Sequence, residues 1–436
     1  MTRPSETTAR HMTDTRPPKI TYMVGTYPSL TETFVLREIG ALRRRGVEIV
    51  VLSVRRPGIS QDAAGALGAD ATCIYARPDS FARHALANLA CILRRPRRYF
   101  ASLRTFLRGG AGLPTRERLQ LLFHFFAGVG FSRDLRRAGA THLHCHFSTA
   151  TSMALAAYMV GDIQFSFTVH ASDDLFVSPV LLIEKVASAR FVVSESDYAG
   201  RYLDSVTGFR FSQKVHRIYN GLESGEVERL SANVQGQGNG RSVEAGEPRI
   251  VSVGSLVPQK GHATLIQVCA RLRIRGQIFR CRIIGEGPER PILERLIIDN
   301  HLQGCVELLG PMALDRVYAE LRGADVFALL AEIGPSGSRD GLPTVILEAM
   351  AAELPVLSTI LVGIPEMVQD GVTGVLVPER DVDGASRGLE RLLQSAELRR
   401  AMGLAGLRRV RELFDLDHSA DQLAALLTNH GQLRVR

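Results

Sequence analysis

No apolar run in the 436 residues approaches the roughly 18 needed to cross a bilayer, so the sequence offers no transmembrane helix. The six cysteines, at 73, 91, 145, 269, 281 and 305, form no Cys-x-x-Cys pair and no framework spacing. They read as reduced, mostly buried thiols of a cytosolic protein, and they offer neither a disulfide scaffold nor a zinc cluster. Residues 1–18 lack the apolar core of a secretory signal and read as a polar, disordered leader. The composition carries no signature of disorder or of a fibrous repeat. No recognised nucleic-acid motif accompanies the basic charge, which argues against a nucleic-acid partner.

What is present is enough chain for two or three domains with proper cores. The net charge of +8 is concentrated: residues 77–137 hold thirteen arginines against three acids, a net +10. Within that window Leu, Ile, Phe and Tyr are interleaved with Arg clusters. The pattern suits an amphipathic surface on anionic lipid headgroups, and a solvated basic face is the other reading.

Strand and helix patterns alternate throughout. KITYMVGTY, ETFVLREIGALRRRG and VEIVVLSV make a first βαβ unit, and the alternation restarts at RIVSVGSL. Residues 225–248 are polar, Gly-rich and aperiodic, and read as an interdomain linker. The division expected is therefore a first unit over 19–224, carrying 77–137 as a basic insertion, and a second over 249–414. A final helical stretch covers 415–436. Two βα units across a linker enclose a cleft at the carboxyl ends of their strands.

The most informative segment is Asp340-Gly341-Leu342-Pro343-Thr344-Val345-Ile346-Leu347-Glu348. Pro343 suits the first position of a helix that places Glu348 one turn inside. The helix start, with its free N–H groups and dipole, favours a phosphate; Glu348 can accept a ribose's hydroxyls, and Asp340 can reach a sugar beyond the phosphates. The spacing predicts a nucleotide-sugar site, with an ordinary helix packed on a sheet as the bland rival. Gly254-Ser255-Leu256-Val257-Pro258-Gln259-Lys260-Gly261 adds a strand-end turn whose Lys260 is a compact charge for phosphate. Gly285-Glu286-Gly287 adds a second turn, equally compatible with a plain loop. No dedicated Asp-x-Asp metal motif accompanies these loops, so no cofactor or essential metal is expected.

The segment 340–348 resembles the Glu-x7-Glu signature of the retaining GT-B glycosyltransferases of family 4, with Asp340 in place of the first Glu. VGTYPSLTETFVLREI and HFSTATSMALAAYMVGDIQFSFTVHASDD resemble the bacterial exopolysaccharide and colanic-acid-type members. The resemblance implies a GT-B fold, α/β with two Rossmann-like domains, and a final helix crossing back to the first. It implies transfer of a sugar, with retention, from an NDP-sugar donor to a saccharide or lipid-linked saccharide acceptor. Location is then expected on the cytoplasmic side, peripheral to the plasma membrane. It implies that His170 faces the donor sugar, that Asp340 orients the sugar and that Lys260 grips the diphosphate. Gly254, Gly285, Glu286, Gly287, Gly341, Leu342, Pro343, Thr344 and Glu348 would line the donor. Gly363–Glu366 would contribute too, or form a simple loop. Ser255 stands where the family has an Arg, and Arg339 is a candidate substitute. These departures leave open an inactive GT-B scaffold; a sugar-nucleotide 2-epimerase shares the architecture.

On the acceptor side the candidates are Glu32, also explicable as an early-helix acid, and His146. His142, His144 and His146 alternate along THLHCHF and would share one face, with Cys145 opposite. Same-face neighbours on a strand are roughly 6.6 Å apart, too far for three to hold one ion without strong curvature.

Overall fold

The computed structural model describes residues 19–29, 33–56, 73–75, 80–137, 139–140, 142–177, 179–232 and 247–431. The short β-branched and aromatic runs become two parallel sheets. The first has strands β1 (Lys19–Thr26), β2 (Glu48–Arg55), β3 (Cys73–Tyr75), β4 (His142–His146), β5 (Gln164–Val169), β6 (Val192–Ser194) and β7 (Val215–Arg217), in the order β3-β2-β1-β4-β5-β6-β7. The second has β8 (Arg249–Val253), β9 (Arg280–Ile284), β10 (Val306–Gly310), β11 (Val326–Leu329), β12 (Val356–Thr359) and β13 (Gly374–Val377), in the order β10-β9-β8-β11-β12-β13. Strand order reverses between β1 and β4 and between β8 and β11. Those switch points open crevices outside the strands' carboxyl ends, where α/β folds hold ligands. His146 and Gly254 lie there.

In the first unit, helix α1 (Thr33–Arg44) follows β1. The basic window forms α2 (Ser80–Arg94), α3 (Pro96–Gly109) and α4 (Thr115–Arg137). One side of this trio is core: Tyr99, Phe106, Leu121 and Phe125 pack under α5 (Phe147–Gly161). The other side leaves Leu86, Leu89 and Leu93 of α2 and Phe100 and Leu107 of α3 exposed among arginines. Among the described residues no helix is long and apolar enough to cross a membrane.

A π-helix over Ala171–Val177 follows β5, then α6 (Leu182–Ser188) and α7 (Asp197–Thr207). The expected linker begins differently: residues 224–231 form α8 (Ser224–Ser231). Glu223 and Glu226 make a reciprocal capping box, and Val227 and Leu230 are buried, so tertiary packing and a cap override weak local periodicity.

The second unit adds α9 (His262–Ile274), α10 (Arg290–Asp299), α11 (Leu314–Arg322), α12 (Thr344–Ala351), α13 (Ile364–Met367), α14 (Val382–Gln394) and α15 (Ala396–Leu413). The last helix, α16 (Leu416–Gly431), returns to the first unit. Leu416, Ala420, Leu423 and Leu427 pack with Val35, Ile39 and Leu42 of α1, and Arg45 reaches Asp417 and Asp421 at 3.0 and 2.6 Å.

Candidate functional site

In the second unit the turns after β8 and β9 lie directly against each other. Gly254 N donates to Ile284 O (3.0 Å) and Leu256 N to Glu286 O (2.9 Å). A Cβ on Gly285, at φ +146°, would stand 1.9 Å from Gly254 O, and one on Gly287 would stand 2.4 Å from Leu256 O. Both glycines are therefore required for the two loops to touch. Glu286 turns back on its own segment, accepting from Gly287 N and from Arg290 Nη1 at 3.1 Å.

Lys260 ends a one-turn 3₁₀ segment, its stem against Gly254, and its Nζ lies 2.8 Å from Asp340 Oδ2. The contact is an ion pair; Asp340 Oδ2 has no hydrogen-bond partner among the described residues. Pro343 is the N-cap of α12 and Thr344 its first residue, one position later than the sequence pattern suggests. Gly341 O accepts from Gly363 N, and Leu342 is buried beside it.

Glu348 is paired with the first unit. Its Oε1 accepts from Arg37 Nη2 of α1 at 3.0 Å, and the same guanidinium holds Glu226 Oε1 at 3.0 Å. Tyr318 OH donates to Glu226 at 2.8 Å. Arg37, Glu226 and Glu348 are all more than nine-tenths buried, and Arg37 Nη1 finds no partner among the described residues. Burial pushes the Glu348 carboxyl up against the pull of Arg37, whereas the two carboxylates raise Arg37 despite its burial. This cluster joins the two units.

Other contacts cross the same cleft. Glu366 caps α7 of the first unit, accepting from Asp197 N and Tyr198 N at 2.8 Å each and from Tyr219 OH at 3.1 Å. Arg339 stacks over the Phe176 ring at 3.9 Å. A Cβ on Gly341 would fall 2.2 Å from Glu195 Oε1.

The first unit's wall of the cleft is a buried polar row. His142 Nε2 and His144 Nδ1 share Ser166 Oγ (2.7 and 2.8 Å), and His144 Nε2 meets Thr168 Oγ1 (3.1 Å). His146 Nε2 contacts Glu38 Oε1 (3.2 Å), and Tyr22 OH donates to that same oxygen (2.8 Å). His146 Nδ1 faces His170 Nε2 (3.0 Å), and His170 Nδ1 faces Glu195 Oε2 (3.2 Å), which also accepts from Asn220 Nδ2 (3.2 Å). Behind the row, Lys185 Nζ donates to Ser148 Oγ at 2.8 Å; burial draws Lys185 down to about 8 and Asp174 up to about 7.

Two switch-point crevices, with a lysine beside a helix start on one side and a polar wall on the other, face one cleft, and similarity to known proteins bears on what it holds. Residues 31–225 match the family described as Glycosyltransferase Family 4, and residues 240–409 match Glycosyl transferases group 1. The chain belongs to the group 1, family 4 glycosyltransferases. It is 40% identical over 151 residues to the putative colanic acid biosynthesis glycosyltransferase WcaL of Salmonella typhimurium, 34% of this chain and 37% of that one. It is 35% identical over 179 residues to the amylovoran biosynthesis glycosyltransferase AmsK of Erwinia amylovora, 41% of this chain and 44% of that one. The matched segments thus span less than half the length of these relatives. The crystal structure of Anabaena HepE in complex with UDP superposes with a TM-score of 0.67 at 15% identity, covering 94% of this chain and 100% of that one. The fold is GT-B.

Against that fold the candidate residues distribute unevenly. Lys260, Asp340, Gly341, Leu342 and the α12 start come together, with Gly254 and Ser255 in the adjoining turn. His170 and His146 sit opposite, but both nitrogens of each ring are already engaged within the wall, so neither ring has one free for a sugar. Arg339 points at Phe176, and Glu366 serves the first unit's α7. Glu32 lies outside the described residues. Glu38, His144 and His146 bring ligand atoms within 4.8 Å of one another, yet every nitrogen of both rings already has a hydrogen-bond partner. Sequence reasoning missed Arg37, Glu38, Glu195 and Glu226. Only the position of Glu195 straight after an apolar strand hinted at a site.

Proposed function

We propose that this family 4 glycosyltransferase moves a sugar from an NDP-sugar to a saccharide or lipid-linked saccharide acceptor, with retention, in bacterial exopolysaccharide synthesis. The observation that carries the reading is the convergence of the β8 and β9 turns, Lys260, Asp340 and the start of α12 at one crevice. HepE, with the same fold, was solved with UDP, and the two relatives above are described by exopolysaccharide pathways.

In this reading Lys260 and the α12 N-terminus neutralise the leaving diphosphate, as fixed charges and dipoles that need no reorganisation. No essential metal is then required. Asp340 orients the donor sugar and Glu348 the ribose. The acceptor hydroxyl attacks on the leaving group's face and its proton passes to a donor phosphate oxygen, so no strong protein base is needed. Donor entry exchanges two resting ion pairs, Lys260 with Asp340 and Arg37 with Glu348, for contacts to phosphate, sugar and ribose. The exposed Leu, Phe and Arg of α2 and α3 suit the anionic inner face of the plasma membrane, which would bring a lipid-linked acceptor to the cleft.

Calorimetric titration with UDP, GDP, ADP and their common sugar conjugates tests this. One nucleotide is expected to bind at micromolar Kd, and Lys260→Ala and Glu348→Ala are expected to abolish it. Binding of none of them would overturn the reading.

A further inference from the structure

The chain Glu38–His146–His170–Glu195 lies on the first unit's wall and is fully spanned by short contacts, which allows its protons to be counted. An ionised carboxylate only accepts. Glu38 Oε1 accepts from Tyr22 OH at 2.8 Å, and against the opposing effect of burial the His146, His144 and Tyr22 contacts hold its carboxyl below the usual range, so it is ionised. His146 Nε2, at 3.2 Å from it, therefore carries a proton. At the other end both oxygens of Glu195 already accept, Oε2 from Asn220 Nδ2 and Oε1 from Ala171 N at 3.4 Å, so the group acts as an acceptor and the proton of its contact with His170 Nδ1 belongs to the ring. The 3.0 Å contact between His146 Nδ1 and His170 Nε2 requires one more. Two neutral imidazoles bring two N–H protons, and these contacts need three. The histidine pair carries one positive charge between two carboxylates.

The ends of the chain differ. Burial works against a charge on either ring. At His170 the hydrogen bond and charge of Glu195, helped by Asp174 and Glu38, outweigh it and raise the pKa; at His146 burial wins over Glu38 and the pKa falls. The groups facing His170 are Glu195 after β6, Asp174 from the π-helix, His146 from β4 and Glu38 from α1, with Phe34 and Phe147 rings at 5.0 and 4.5 Å. Glu195 in turn abuts Gly341, in the loop between Asp340 and α12.

We propose that Glu195 is a positioning residue for the transfer. It holds the shared proton on His170, at the end of the chain facing the donor loop, so that a fixed positive charge stands in the cleft wall as the diphosphate departs. The catalytic consequence rests on the transferase reading; the place of the proton does not.

The test is ¹⁵N-histidine NMR of the full chain, together with the pH dependence of nucleoside diphosphate release from whichever UDP-, GDP- or ADP-sugar binds. In the wild type both ring nitrogens of His170 are expected to be protonated at pH 7.5. In Glu195→Gln the His170 titration and the alkaline limb of kcat move down together by about one pH unit, with kcat at pH 8 about tenfold lower. KM for the donor stays put, and Glu195→Asp recovers part of the loss. A wild-type His170 that is neutral at pH 7.5 overturns the proposal whether or not any donor is turned over, and whether or not the variants fold. So does a Glu195→Gln protein whose His170 titration is unmoved. Failure of every nucleotide to bind overturns the donor-site reading and leaves the NMR result standing.

Discussion

Replacing Arg37 with Met keeps most of the volume and removes the cation shared by Glu226 and Glu348. Breaking a buried ion pair from one side costs about 3–5 kcal/mol, because an uncompensated charge remains in the interior. A second estimate bounds the figure. Glu226 keeps Tyr318 OH and Glu223 N as donors, so Glu348 is the stranded carboxylate. It escapes by taking a proton, and from an ordinary Glu pKa of about 4.3 that costs about 3.7 kcal/mol at pH 7, at about 1.36 kcal/mol per pH unit. Arg37→Met should therefore lose about 3–4 kcal/mol at pH 7 and only about 1 kcal/mol at pH 5. The sign follows from linkage. A carboxyl whose folded pKa is raised, the direction burial already gives Glu348, loses stability as pH climbs from the unfolded pKa through the folded one. Urea unfolding followed by circular dichroism at pH 5, 6 and 7 measures it. Adding Glu226→Gln and Glu348→Gln should return most of the stability. A loss below about 1 kcal/mol at pH 7, or one that does not shrink on acidification, would refute the reasoning.

Gly285→Ala combines a Cβ 1.9 Å from Gly254 O with a backbone at φ +146°. The backbone strain alone should cost about 1–3 kcal/mol, seen as a lowered urea midpoint, with nucleotide affinity falling in parallel in calorimetry. If α2 and α3 meet lipid, the full chain should co-sediment with phosphatidylglycerol-containing vesicles and much less with phosphatidylcholine alone. Leu89→Glu with Leu93→Glu should remove the binding, and each of Arg94→Glu and Arg104→Glu should weaken it by about 1 kcal/mol or more. Equal binding to neutral vesicles would sink the electrostatic part of the claim.

The GT-B layout was legible because each βα unit announces itself locally. KITYMVGT is short, β-branched and bounded by turn residues, and the helix after Pro343 is marked by its own start signal. Where legibility failed, the deciding energy was not local. Helix α8 carries only two core residues, Val227 and Leu230, and its cap is Glu223, so nothing in a polar Gly-rich stretch separates it from a loop until its packing is known. The same holds for the histidine row. Alternation places His142, His144 and His146 on one face, but only the register of β4 against β5 brings the Ser166 and Thr168 hydroxyls to His142 and His144, and His146 finds its partners in Glu38 of α1 and in His170.

The site was legible as a set of residue types and illegible as a set of pairings. Lys260 and Asp340 are 80 positions apart in sequence, and Arg37 and Glu348 are 311 apart. Each is the sort of group expected to meet a charged or polyhydroxylic ligand, and each pairs with an opposite charge from a distant segment. That follows from the cost of leaving such groups bare. A partly buried carboxylate or ammonium without a partner loses several kcal/mol, so charged groups facing one cleft pair with one another across it. If the donor binds here as proposed, its net affinity is the new contacts minus these pairs. Loosening Arg37 should raise affinity for ribose at Glu348 even as it lowers stability, an opposition that a purely structural Arg37 would not produce.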